Sequence, residues 1–262
     1  MEFVCQKDAI QELRSLASSD RHSVLIEGCE GSGKTHLATE YANMIGVDDI
    51  INVKPKVNEI RSAIDTCFQQ DNRVLICVEN LDQGVKEASY TLLKSLEEPI
   101  STVYIVITCR NTKRIPDTII SRSTSVVIAP PVNTDLDMYA QSVNFENYHM
   151  VHTSMIWKCA RTFNDVDIIL NMNANQLQYF DSLSELAQFN GGVADIIWAL
   201  GHYNDEAKTP TPIELVIRYI MQIRRDKHSQ TAGVECLRDL SRGSIASHVV
   251  LTKYAFEMKY VN

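Results

Sequence analysis

Eight consecutive residues are fit to hold a chain of phosphates. They are Gly28, Cys29, Glu30, Gly31, Ser32, Gly33, Lys34 and Thr35, in the pattern Gly-x-x-x-x-Gly-Lys-Thr. Glycines at this density let the main chain curl until successive N–H groups point inward at oxyanions. A helix opening at the end of the loop adds the positive end of its dipole. Lys34 brings a point charge to the outer phosphates, and Thr35 offers a hydroxyl to magnesium. The chemistry so specified is binding of a nucleoside triphosphate, with ATP and Mg2+ as the expected cofactors.

A second cluster lies further on. The apolar run from Val74 to Val78 ends at Glu79, Asn80, Leu81 and Asp82. A carboxylate directly after a buried strand is where a phosphate-loop protein holds magnesium through water, so Glu79 joins Thr35 as a metal candidate. The next position normally carries an acid that orients the attacking water, and here it is Asn80. An amide cannot accept a proton and is a poor general base. Glu79 and Asn80 are therefore the candidate catalytic pair, and they favour binding over hydrolysis.

These residues need a scaffold, and the periodicity supplies one. Residues 6–18 carry apolar side chains at helical spacing. Residues 23–27 are a short buried strand that runs into the loop, and residues 35–45 read as the helix after it, stopped by Gly46. The alternation repeats: strand 49–53, helix 57–68, strand 73–78, helix 85–96, then strands 102–108 and 123–128. Apolar strands alternating with helices predict an α/β fold with a parallel sheet covered on both faces. Pro130 and Pro131 punctuate the chain, and the strand signals fade after them. Several short helices are expected over 135–190, a break near Asn190, Gly191 and Gly192, then helices over 195–200, 212–225, 233–240 and 247–260. Three domains follow: a nucleotide-binding domain over 1–131, a small helical lid over 132–190 and an all-helical domain over 191–262.

Composition excludes several classes. The 262 residues are 45% hydrophobic and 22% charged, ordinary for a globular protein, and the net charge is −8. Bulk attraction to nucleic acid or an anionic membrane is not expected, so any DNA contact has to be local or shared with partner subunits. No apolar run approaches the length of a membrane span, and Met1, Glu2, Phe3 and Val4 do not open a signal peptide. The expected location is the cytoplasm. The seven cysteines are dispersed without a Cys-x-x-Cys pair, which argues against structural zinc and for buried free thiols.

Two further segments are distinctive. One runs Leu92, Leu93, Lys94, Ser95, Leu96, Glu97, Glu98, Pro99; the other runs Ile119, Ile120, Ser121, Arg122, Ser123. With Phe3, Val4, Cys5 and Gln6, they resemble the AAA+ subunits of DNA polymerase clamp loaders, in particular the bacterial delta-prime and gamma/tau subunits. The resemblance covers about residues 3–130, and the rest agrees in layout, with a lid and then a collar. It implies a hetero-oligomeric ring joined through the collars, which opens a sliding clamp and holds primer-template DNA together with other clamp-loader subunits. It implies that Arg122 is an arginine finger reaching into a neighbour's ATP site, an effect worth about 10³ to 10⁵ in rate. It also calls for a polar residue after the fourth strand that senses the terminal phosphate, with Thr108, Arg110 and Asn111 as candidates.

The departures from that family carry information too. Glu79 and Asn80 replace its Asp-Glu pair, Asp82 matches a further acid, and Ser123 replaces a cysteine. The lid arginine falls near Asp167, and an acid there repels phosphate. The connection over 45–73 has no room for a zinc module. These differences suggest a bacteriophage or otherwise divergent version. The expectation is a subunit that binds ATP with weak or no hydrolysis and lends Arg122 to its neighbour. The alternatives are an active motor in which Glu79 and Asp82 suffice, or a non-catalytic scaffold with a vestigial loop. Blander roles are expected elsewhere: a surface turn for His22, packing or solvent for His36 and Tyr41, core for Trp157 and Trp198. Arg218, Arg224 and Arg225 are expected to pair with acids such as Glu214 rather than with DNA.

Overall fold

The computed structural model describes residues 6–19, 21–67, 72–172, 177, 180, 213–224, 227–242, 250, 253 and 254. The chain forms two units, residues 1–139 and 140–262.

The first unit is built on a five-stranded sheet. In chain order its elements are α1 (Lys7–Ser18), β1 (Ser23–Glu27), α2 (Lys34–Ile45), β2 (Asp49–Val53), α3 (Val57–Cys67), β3 (Val74–Val78), α4 (Lys86–Glu97), β4 (Val103–Cys109), α5 (Asp117–Ile120) and β5 (Thr124–Val127). The strands lie in the order β2-β3-β4-β1-β5, and every neighbouring pair is parallel. Parallel strands need crossovers, and the helices supply them on both faces. This is why β3 and β4 are buried along their whole length and read as unbroken apolar runs. The strand β2 forms an edge, and only Val53 is buried in it. On one face Leu25, Val74, Ile76, Ile105 and Ile107 pack against Ile60 and Ala63 of α3 and Ala88, Leu92 and Leu96 of α4. On the other, α2 packs against β3 and β4 and against α1, with Leu37, Ala38 and Tyr41 buried. Each fully buried Leu or Ile side chain stabilises the sheet by about 1.5–3 kcal/mol relative to exposure.

The expected strands appear within about a residue of their predicted ends, because continuous burial leaves little doubt about where an apolar run stops. Three short elements of this unit escape the periodicity, single 3-10 turns at Leu81–Gln83 and Thr112–Arg114 and the four-residue α5; none is long enough to show a helical repeat.

The helix α6 (Asn133–Val143) follows Pro130 and Pro131 and runs across the division between the units. In the second unit, α7 (Phe145–Val151) packs with α8 (Phe163–Leu170), and α9 (Ile213–Arg224) packs with α10 (Lys227–Arg242). Gly233 on α10 lies against Met221 on α9 so closely that an added Cβ would strike its sulfur. Thr162 and Asp165 form a capping box at the start of α8, each binding the other's backbone N–H. The Asp165 carboxylate also takes a two-pronged hydrogen bond from Arg218 of α9, at 2.8 Å on each oxygen. Arg218 does pair with an acid, but Asp165 rather than Glu214. Glu214 contributes only its backbone carbonyl, to Arg218 Nε at 3.2 Å. Trp157 is half-buried, edge-on to Tyr148. The expected helix at 195–200, most of that at 247–260, the break at 190–192, Trp198, Arg225, the Arg224 side chain and the boundary between lid and collar lie outside the described residues.

Candidate nucleotide-binding site

The loop over 28–35 connects β1 to α2 at the carboxyl ends of the strands, where open parallel sheets place their ligands. Backbone bonds lock its base to both flanking strands. Gly28 N–H donates to Cys109 O of β4 at 3.1 Å, and Ile128 N–H, just past β5, donates to Glu27 O at 2.8 Å. The Glu27 carboxylate then accepts from the Thr112 N–H and hydroxyl, both at 3.2 Å. Gly28 has no room for a side chain, since a Cβ there would collide with Ile128. Gly33 caps α2 at φ 92°, a conformation costly for any residue with a Cβ. Within the curl, Ser32 Oγ donates to Cys29 O at 2.8 Å.

Lys34 is buried, and its ammonium lies inside the curl. It donates to Gly28 O at 2.9 Å and Cys29 O at 2.7 Å. Burial lowers its pKa from the ordinary lysine range, and the nearby Arg110 charge acts in the same direction. A cation held at some cost in desolvation, on carbonyls only, is ready to exchange them for phosphate oxygens.

Thr35 and Glu79, the two candidates for holding magnesium, lie side by side. Thr35 Oγ1 lies 3.4 Å from Glu79 Oε1. Both are hard oxygen donors, and among the described residues no cluster of three or more metal-binding side chains occurs. A hydroxyl and a carboxylate, completed by water and phosphate, are the donor set that suits magnesium. Glu79 extends the β2–β3 ladder through its N–H to Val53 O at 2.9 Å. Asn80 takes the left-handed conformation, φ 49°, and its N–H donates to Thr108 Oγ1 at 2.9 Å. Thr108 is buried, and its hydroxyl accepts from the turn that follows β3. Asn111 caps the turn at Thr112–Arg114, its Oδ1 accepting from Lys113 N–H. Of the three candidate sensors, Arg110 is the one that reaches the loop. Its guanidinium pairs with Glu30 at 2.6 Å, and its N–H donates to Asp82 Oδ1 at 3.1 Å.

Arg122 lies just past α5, away from these groups. It donates to Thr118 O at 2.9 Å and pairs with Glu97, the end of α4, at 2.8 Å. Glu97 had no assigned role in the sequence reading, although it belongs to one of the two distinctive runs and Arg122 to the other. The Glu30–Arg110 and Glu27–Thr112 contacts join residues about eighty positions apart, and no spacing rule reaches them. His22 stacks on Tyr104 at 4.6 Å, Tyr41 OH donates to Arg21 O, and His36 sits on the solvent face beside Glu40. All three have structural surroundings.

Residues 43–132 match the family described as DNA polymerase III, delta subunit. The match begins inside α2, so it spans Glu79, Thr108 and Arg122 but leaves out the phosphate loop. Among solved structures, the chain resembles a DNA polymerase III gamma subunit-related protein from Thermotoga maritima, with 15% identity, a TM-score of 0.59, and coverage of 96% of this chain and 99% of that one. The chain shares the fold of that gamma subunit-related protein. Two Thermotoga maritima RuvB structures share this fold, a single-residue variant (13% identity, TM-score 0.54) and the Holliday junction branch migration motor (14%, 0.53). Each covers 98% of this chain and 88% of its own. No curated protein matches the sequence. In this chain a helical part follows the parallel sheet. Among the described residues, no helix is long and apolar enough to cross a membrane.

Proposed function

We propose that this chain is a subunit of a clamp loader, binding Mg-ATP on the loop over 28–35 within a hetero-oligomeric ring that loads a sliding clamp onto primer-template DNA. The observation that carries the nucleotide part is the buried Lys34 ammonium, set in a curl of backbone at the mouth of the sheet with Thr35 and Glu79 beside it. The match of residues 43–132 to a polymerase III subunit family supports the ring and its partners.

In this role the loop amides and Lys34 hold the phosphates. Thr35 and Glu79 would hold the magnesium, which draws charge off the phosphate oxygens when bound. Asn80 cannot take a proton from water, so hydrolysis by this chain is weak or absent. Arg122 stands at the surface with a partner that a neighbour's phosphates can outbid, and serves as the finger in trans. The three-domain division at 131 and 190 and a cytoplasmic location belong to the same proposal.

Titration of the purified chain with a fluorescent ATP analogue tests the core of it. Saturable, magnesium-dependent binding that weakens about tenfold or more in Lys34→Ala is expected, from loss of a charge-assisted contact. Indifference to millimolar nucleotide would leave only an architectural role. An ATPase assay with co-expressed partners, clamp and primed DNA separates the weak-hydrolysis reading from an active motor.

A further inference from the structure

A phosphate loop needs cations, and here two at its mouth, Lys34 and Arg110, are occupied by the protein itself. Lys34 rests on two loop carbonyls. Arg110 rests on a carboxylate, and that carboxylate belongs to the loop: Glu30. The guanidinium is well anchored for this. Its residue directly follows Cys109, whose carbonyl holds Gly28, and its own N–H is fixed by Asp82. The Gln83 amide lies beside it too, and with the amide assigned so that its oxygen faces the guanidinium it accepts from Nε at 2.9 Å and Nη2 at 3.0 Å. Asp82 and Gln83 come from the turn after β3, Arg110 from the end of β4 and Glu30 from the loop. The guanidinium is thus the meeting point of three segments that border the site.

Glu30 itself is weakly held. Its side chain is 73% exposed, that of Arg110 only 31%. An ion pair this open is worth about 1 kcal/mol or less. A triphosphate brings several negative charges and a planar guanidinium grips phosphate in two places, so the phosphate prevails over the single carboxylate.

We infer that Glu30 is a built-in competitor for the nucleotide's terminal phosphate, holding Arg110 until ATP takes the guanidinium and frees the loop tip. This inference rests on the loop binding nucleotide. It makes Arg110 the group that separates ATP from ADP, and Glu30 a brake on affinity.

A double-mutant cycle with ATP and ADP, in magnesium, tests it. Glu30→Gln is expected to tighten ATP roughly two- to fivefold, the worth of an open ion pair. Arg110→Ala is expected to weaken ATP about tenfold and ADP much less. The decisive arm is the double variant: without Arg110, Glu30→Gln gives no tightening. Arg110→Lys, which keeps the charge without the fork, recovers part of the ATP preference, and its unchanged circular dichroism shows that the fold is intact. Equal tightening by Glu30→Gln with and without Arg110 would overturn the inference, since that is simple removal of a negative charge. So would no tightening at all in a chain that binds ATP; either result leaves the nucleotide reading standing. Absence of binding by the wild type and every variant would overturn both. Binding gained only in Glu30→Gln, and lost again with Arg110, would support the brake in its strongest form.

Discussion

Two arginines meet carboxylates in opposite ways in the two units. In the second unit, Arg218 grips Asp165 with both prongs; the aspartate is almost wholly buried and also binds the Arg161 and Thr162 N–H groups of the capping box. In the first, Arg122 meets Glu97 with one prong at the surface, both partners at least a third exposed. The chemistry of the pair is the same, but the environment differs. A buried, saturated pair cannot be broken without leaving an uncompensated charge inside the protein. An exposed one exchanges its partner for water or another anion at little cost. The first arrangement fixes two helices together, and the second leaves a cation available.

The sharpest test of that contrast is functional. On the proposed role, Arg122→Ala leaves ATP binding by this chain unchanged, yet lowers clamp-stimulated ATPase of the assembled complex about 10³-fold or more. Steady-state hydrolysis with partners, clamp and primed DNA measures it. If the complex turns over normally, Arg122 is an ordinary surface residue, and its exposure has no consequence.

Next in size is the buried pair. Asp165→Asn is expected to destabilise the second unit by about 3 kcal/mol, because Arg218 then keeps its charge without a counter-charge. Both tryptophans, Trp157 and Trp198, lie within residues 140–262, so their fluorescence during urea unfolding follows this unit alone. The pH dependence provides a second readout. Burial by itself raises the Asp165 pKa, but the Arg218 fork and the Arg161 and Thr162 contacts outweigh it, and the net shift is downward. The folded value therefore lies below the unfolded one, near 3.9. The stabilisation is complete above the unfolded value and is lost as pH falls through the folded value. Wild type should lose stability in that acid window, while Asp165→Asn should lose less. A variant as stable as wild type at neutral pH would put this pair in the same class as the surface ones.

The same contrast explains what was legible in the sequence. The sheet was, because strands such as Val74–Val78 and Val103–Cys109 are buried on both faces and must be apolar throughout. The tight path of the loop over 28–35 was, because its glycines are needed where they stand. Thr35 opposite Glu79 followed from that, since a phosphate loop and the end of a neighbouring strand leave few other places for a carboxylate. The charge pairs were not. Arg218 sits one helical turn from Glu214, and local spacing pointed there, but the partner that lowers the energy most is an aspartate 53 residues earlier in the chain. The sensor position stayed open among Thr108, Arg110 and Asn111 for a related reason. Their partners, Asn80 for Thr108 and Glu30 for Arg110, come from other segments of the sheet's edge, and no local spacing brings them in.

The smallest predicted effect is also the one that tests the contrast most cleanly. Glu97→Gln removes the charge that Arg122 faces while keeping the size and the hydrogen-bonding oxygen. With Glu97 51% exposed and Arg122 still held by Thr118 O, the expected loss of stability is about 0.5 kcal/mol or less. Differential scanning calorimetry of the wild type and variant resolves such a shift, and raising salt should shrink it further, because exposed charges are screened within about 10 Å at 0.1 M. A loss of several kcal/mol that persists in high salt would mean that the end of α4 and the end of α5 are bound together as tightly as α8 and α9. Arg122 would then be a structural residue that happens to lie at the surface, with no freedom to reach a neighbour's phosphates. A loss near zero leaves the guanidinium as the geometry presents it, a charge positioned by one backbone carbonyl and only loosely retained by its acid.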